Sequence, residues 1–316
     1  MLNFCKKQAL ILTIILSLSL AILLPGPGKA IYPSGVTNLI LALIFLCQGL
    51  GVKTEDLDLK PSTFLILLWG AFISLIIYPF FSFLFIQLGT WPQDTQVGFF
   101  LMCSMAPTLV SGTLMAQRAG GNRLFALILT LGINCIGILV IPFVLNILLS
   151  TSIEFDRLAL LSKLFFYVFC PACAGVFIRK LFSQTLSNYS LLIKNLPILF
   201  LGLILYISCS SQSTHLHNTS LLSVAVFIPL CLGIHVFFLI GIYFSSKSLF
   251  KFGESISRTL AILCSQKTLP IAMAVWSISL IESYPLAILP PIIFHFTQLI
   301  FDGMAVEYWR AKSSNN

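Results

Sequence analysis

Unbroken apolar runs dominate this chain. Stretches of Leu, Ile, Phe, Val and Ala are separated by short polar punctuation, and none shows the period-two alternation of a barrel strand. The runs therefore predict helices in an apolar medium. At about 20 apolar residues per crossing plus short connections, ten spans are predicted, at 8–25, 35–51, 62–89, 95–117, 122–148, 158–181, 192–211, 220–246, 255–282 and 285–309. The first follows Lys6 and Lys7, as the apolar run of a secretory signal peptide does. Its stretch from Ala9 to Leu24 is long for such a peptide and more spans follow, so it reads as an uncleaved span. Pro79, inside the third run, predicts a kink.

Composition turns this pattern into a class. Hydrophobic residues make up 58% of the 316, charged residues 9%, and the mean hydropathy is +1.01, where a soluble domain carries roughly 25% charged residues. The chain reads as an all-α polytopic membrane protein. Its net charge of +8 is no nucleic-acid signal, because the basic residues lie between the apolar runs. With the N-terminus placed in the cytoplasm, fourteen of the 18 Lys and Arg fall on the inner side and only Lys29, Arg157 and Lys163 on the outer. By the positive-inside rule this supports an even span count and cytoplasmic N- and C-termini in a multi-pass plasma (inner) membrane protein. The nine cysteines are scattered through the apolar runs and read as small hydrophobes. The CxxC spacing at Cys170-Pro171-Ala172-Cys173 lies inside a span with no βαβ context.

Ten spans divide into five and five, so a repeat would be inverted: 1–150 as the first half and 151–316 as the second, within a single transporter domain. The fourth span of each half is interrupted by Pro or Gly among hydroxyls. These interruptions are Pro107-Thr108-Leu109-Val110-Ser111-Gly112-Thr113 and Ser265-Gln266-Lys267-Thr268-Leu269-Pro270. Paired interruptions at corresponding positions point to the binding site of a secondary transporter. The lysine left over from the charge count is Lys267. A charge at bilayer depth is a functional-site candidate. Its expected partner is Asp302: Lys267 lies nine residues past Arg258 and Asp302 eight before Arg310, or about 13 Å and 12 Å along a helix. His295 and Gln298 share a face of the tenth span as relay candidates, although His295 and His235 read more readily as satisfied core histidines. Asn134 shares a face with Thr130 in the fifth span. His215 and His217 are too isolated for a metal site, Asn218-Thr219-Ser220 is a sequon on the outer side, and Trp91 and Trp309 read as interface anchors.

Ten spans, a broken fourth span ending in Arg118-Ala119-Gly120-Gly121-Asn122 and a broken ninth span with Lys267-Thr268-Leu269-Pro270 together resemble the bile acid:sodium symporter family. The Lys-Thr-Leu-Pro variant is most similar to its cotransporter-7-like branch. The resemblance covers essentially the whole chain. It implies ten transmembrane helices in two inverted five-helix repeats. These form a panel domain of the first, second, sixth and seventh spans and a core domain of the other six, in which the broken fourth and ninth helices cross. It also implies that sodium ions bind beside the crossing and organic anions between core and panel. The family's fourth-span Ser-Asn ligand pair falls on Ser111 and Gly112, its fifth-span Ser and Thr on Ala126 and Thr130, and its ninth-span glutamine on Gln266. The family's glutamate, four residues before that glutamine, falls on Ile262, and the position after the glutamine, usually asparagine in the family, is Lys267.

Losing a carboxylate and gaining an ammonium argues against ordinary sodium coupling. The reading is a secondary transporter of a small organic anion by alternating access, with Lys267 supplying a fixed or titrating positive charge. The substrate- or ion-binding candidates are Ser111, Gly112, Thr113, Thr130, Asn134, Ser265, Gln266, Lys267 and Thr268, with Asp302, His295 and Gln298 as charge partner or relay. Expected partners are that anion, the lipid bilayer and a coupling ion, H+ or Na+; no nucleic acid and no cofactor or resident metal is expected, and a homo-oligomer is left open. Alternatives are a sodium-coupled organic anion symporter, a related ion/proton antiporter relying on Asp302, a structural role for Lys267, and a non-transporting regulator with a degenerate transporter fold. No HExxH, GxSxG or paired intramembrane acids support an enzyme.

Overall fold

The computed structural model describes residues 2–32, 35–52, 61–149, 156–217 and 225–314, and its regular structure is helical throughout. The Asn218 sequon, Lys53 and Lys60, and the 150/151 boundary between the expected halves lie outside these residues.

Helix α1 (Leu2–Leu23) is followed at a 94° bend by α2 (Pro25–Ile31). Pro25 has no N–H with which to continue α1 and suits the first position of a new helix. The Leu24 carbonyl at the bend accepts a hydrogen bond from the Tyr206 hydroxyl at 2.9 Å. Helix α3 is Val36–Leu50. Helix α4 runs from Pro61–Phe72 through a π turn, Ile73–Ile77, into Tyr78–Ile86. Then come α5 (Gln93–Cys103), α6 (Val110–Arg118) and α7 (Arg123–Leu149). Helix α8 (Arg157–Leu181) contains a second π turn, Phe165–Phe169. Helices α9 (Ser183–Asn188), α10 (Ser190–Ser211), α11 (Ser213–His217) and α12 (Ile228–Ser248) follow. Helix α13 is Glu254–Ser265, and α14 begins as Leu269–Val275 and continues through a third π turn, Trp276–Leu280. The last is α15 (Leu289–Ser314).

Seven helical runs among the described residues are long and apolar enough to cross a membrane, or eight if α1 and α2 count as one bent span. The chain is thus a multi-pass membrane protein. The expected second span is an apolar helix of only 15 residues, and the expected fourth is split into α5 and α6. The kink expected at Pro79 takes the form of the π turn that precedes it. The Tyr78 N–H reaches back to Ile73, five residues away, and Pro79 has no N–H to offer the next carbonyl. Trp309, expected at an interface, is 93% buried.

The chain forms two compact units. The first comprises Met1–Thr54, Ser162–Leu221 and Met273–Leu286; the second comprises Glu55–Leu161, Leu222–Ala272 and Ala287–Asn316. In the first, α3 packs closely on α8, and a Cβ at Gly49 would run into the Ala172 carbonyl while one at Gly175 would run into that of Leu46. Glycine at both positions lets the two backbones touch, as small residues do in membrane helix pairs. In the second unit α13 lies inside a ring of helices, buried continuously from Ser257 to Ser265. Cys170 and Cys173 are both free thiols.

Candidate functional site

The two interruptions meet inside the second unit. Residues 106–108 between α5 and α6 and 266–268 between α13 and α14 are non-helical. The Thr268 amide donates to the Ala106 carbonyl at 2.9 Å, and the Thr108 hydroxyl donates to Gln266 Oε1 at 2.7 Å. Unwound backbone inside a membrane protein needs partners from its neighbours, and side chains provide them here. Asn134 Nδ2 donates to the Pro107 carbonyl at 3.0 Å and to the Thr130 carbonyl at 2.8 Å. Gln298 grips the Lys267 peptide from both sides. Its Oε1 accepts from the Lys267 amide at 2.9 Å and its Nε2 donates to the Lys267 carbonyl at 2.7 Å. Gln298 Nε2 also lies 2.9 Å from His295 Nδ1, which makes that ring nitrogen the acceptor.

The Lys267 side chain leaves this crossing towards α4. Its ammonium is fully buried, donates to the Ser74 carbonyl at 2.6 Å and the Ser74 hydroxyl at 3.2 Å, and lies 4.2 Å from the centre of the Tyr78 ring. The local reason is in the sequence of α4. Once the helix has slipped into π register, the donor for the Ser74 carbonyl would be residue 79, and Pro79 has none. Lys267 caps that carbonyl. The Tyr78 ring is held beneath it by stacking on Phe238 at 3.9 Å. The Tyr78 hydroxyl itself is buried with no hydrogen-bond partner among the described residues.

Asp302 answers a different group. Its carboxylate meets His235 Nε2 at 3.0 Å through one oxygen and Gln266 Nε2 at 2.6 Å through the other, all fully or almost fully buried. The second ring nitrogen of His235 lies 3.3 Å from the Ser265 carbonyl. A carbonyl only accepts, so in this contact Nδ1 is the donor. The Lys267 ammonium has no carboxylate beside it among the described ion pairs. The expected Lys267–Asp302 pair is thus corrected. Equal depth along two helices does not fix which way each side chain turns about its helix axis.

The other expected residues are spread around this centre. Gly112 packs against it: a Cβ there would lie 2.6 Å from Gln266 Oε1 and 2.8 Å from Thr108 Oγ1, so the position has no room for a side chain. Thr113, Thr130 and Ser265 donate their hydroxyls to the carbonyls of Leu109, Ala126 and Ala261, four residues back in their own helices. Ser111 is exposed. Ser74, Tyr78 and Thr108 were not anticipated, and His235 was read as a core residue. The available signals were a proline five residues after Ser74 and a histidine in an apolar helix. One end of the crossing is tied by Arg258, whose guanidinium donates to Glu254 at 3.0 Å and to the Ala119 carbonyl at the end of α6 at 2.9 Å. No cluster of three His, Cys, Asp or Glu side chains occurs among the described residues.

The sequence matches the SBF-like CPA transporter family over residues 8–311. Among curated proteins it is similar to the probable sodium/metabolite cotransporter BASS4, chloroplastic, of Arabidopsis thaliana, at 27% identity over 98% of this chain and 74% of that protein. The Oryza sativa subsp. japonica protein of the same name matches at 25% identity over 98% of this chain and 77% of that protein. Sodium/bile acid cotransporter 7-A of Xenopus laevis matches at 23% identity over 95% of this chain and 91% of that protein.

Proposed function

The chain belongs to the SBF-like CPA transporter family, and from that premise we propose that it is a secondary transporter of an organic anion, working by alternating access without ordinary sodium coupling. One observation carries the reading: Lys267 stands in the ninth-span break and its ammonium is fully buried against α4 next to the crossing, with no carboxylate beside it among the described ion pairs. A membrane protein keeps an uncompensated charge at depth where that charge is used. An ammonium at the crossing attracts an anion and repels a cation, strongly so where water is excluded.

The finer architecture belongs to the same proposal. The second unit is taken as the moving core and the first as the panel, because the expected panel spans fall in the first unit apart from the start of α8. The halves 1–150 and 151–316 are taken as inverted repeats, on the strength of the matching breaks at 106–108 and 266–268. The charge asymmetry supports cytoplasmic termini in a plasma (inner) membrane.

A sodium-coupled symporter is the second reading, and one observation favours it. Although position 262 is an isoleucine, a carboxylate does stand against Gln266: an Asp302 oxygen lies 2.6 Å from Gln266 Nε2. The relatives named above are also called sodium cotransporters. The two readings separate in a thermal-stability and flux experiment on purified protein, in detergent and in liposomes. Organic anions should raise the melting temperature and drive exchange without Na+, and Lys267→Met should abolish both effects. Stabilisation by Na+ that survives Lys267→Met and disappears in Asp302→Asn would replace the first reading with the second.

A further inference from the structure

A groove of about 590 Å³ runs between α12 and α15 in the second unit, away from the crossing. Its walls are Leu239 and Phe244 on one side and Ala305 and Tyr308 on the other, and Lys247 and Lys312 stand at one end. Both lysines lie in the last turns of their helices, where the spans Ile228–Ser248 and Leu289–Lys312 finish. The apolar wall is thus at hydrocarbon depth and the ammoniums are at the headgroup border.

The charges at that end do not cancel. Glu254 accepts from Lys247 at 2.8 Å, from Arg258 at 3.0 Å and from the Tyr243 hydroxyl at 2.6 Å, so one carboxylate answers two cations. Lys312 is exposed and has no carboxylate partner among the described ion pairs. The groove therefore combines an apolar slot with a net positive rim. We propose that it binds one anionic phospholipid. An acyl chain lies against Leu239, Phe244 and Ala305, and the phosphate lies between Lys247 and Lys312. A soluble anion would leave the apolar wall uncovered, and the choline of a zwitterionic lipid would meet the two ammoniums with like charge. Basic residues at the membrane border between helices recognise anionic headgroups by this combination. This site is independent of the transport reading.

The test uses the full chain in nanodiscs of phosphatidylcholine with increasing phosphatidylglycerol, followed by native mass spectrometry of the released protein. One phosphatidylglycerol should be retained with about tenfold preference over phosphatidylcholine. Lys312→Gln, on a side chain with no ion pair among the described residues, should reduce the preference severalfold, and with Lys247→Gln added it should vanish. Ala305→Trp fills the slot and should displace the lipid with both lysines intact. Equal retention of the two lipids by the wild type would overturn the proposal, as would a preference that survives both lysine changes. Glycerol 3-phosphate displacing the lipid in Ala305→Trp and wild type alike would show a phosphate site without an acyl slot, and would also overturn it.

Discussion

Lys267→Met tests whether the buried charge is kept for function or for stability. Methionine reaches about as far as lysine and carries no charge, so packing changes little. The lost terms are two hydrogen bonds to Ser74, at 2.6 and 3.2 Å, and the contact with the Tyr78 ring at 4.2 Å. A hydrogen bond to a charged group contributes about 1.5–3 kcal/mol, the longer of the two less, and a desolvated ammonium–ring contact up to about 2. Together these come to about 4–6 kcal/mol. The opposing term is desolvation of a fully buried ammonium with no carboxylate beside it, which costs several kcal/mol even after relaxation. The sum lies within about 2 kcal/mol of zero. At about 2–4 °C per kcal/mol for a mid-sized chain, the melting temperature of the detergent-purified variant should stay within about 8 °C of wild type while anion flux in liposomes is lost. A variant that melts more than about 10 °C lower, or one that still transports, would refute the reasoning: the first outcome makes Lys267 a structural tie, and the second makes it dispensable.

Three further outcomes follow from the packing. Gln298→Leu strands the amide and carbonyl of Lys267 in a dry site, and should lower stability by about 3 kcal/mol in thermal melts and slow flux; an unchanged melt would show that the clamp contributes nothing. Tyr78→Phe removes a buried hydroxyl without a partner while keeping the ring under the ammonium, and should leave stability unchanged or raise it by about 1 kcal/mol, so that a clear fall in melting temperature would count against the description of this site. Gly49→Ala drives a methyl into the Ala172 carbonyl of the facing helix and should cost about 2–3 kcal/mol, seen as a lower melting temperature and lower yield of folded protein.

The class of the fold was legible because a membrane span is written locally, as about 20 consecutive apolar residues. The two breaks were legible for the same reason: Pro107, Lys267 and Pro270 interrupt such runs where nothing else would place them. The helix after Leu24 was missed. The stretch after residue 25 lies outside the expected spans, yet Pro25 at the first helical position lets α2 start there. The partners at the crossing were not legible. Ser74 lies 193 residues from Lys267, and Gln298 lies 31 residues from it. Spacing along a helix gives depth but not the direction in which a side chain points, which is why Asp302 was assigned to Lys267 and found on His235 and Gln266. The empty position at Gly112 was visible as a missing side chain, but not the reason for it, which is that Gln266 and Thr108 occupy that space from across the crossing.

The π turn in α4 links Pro79 and Lys267 through one carbonyl. Pro79 withholds an N–H from the Ser74 carbonyl, and Lys267 supplies one from the break between α13 and α14. In genetic terms they form an epistatic pair. Pro79→Ala restores a main-chain donor at the position the π register calls for. It should therefore compensate in part for the carbonyl that Lys267→Met leaves bare, raising the melting temperature of that variant while doing nothing for its transport. A second-site screen for stability and one for activity in the Lys267→Met background should then recover different positions. The first would return to α4, and the second would have to put a positive charge back at the crossing.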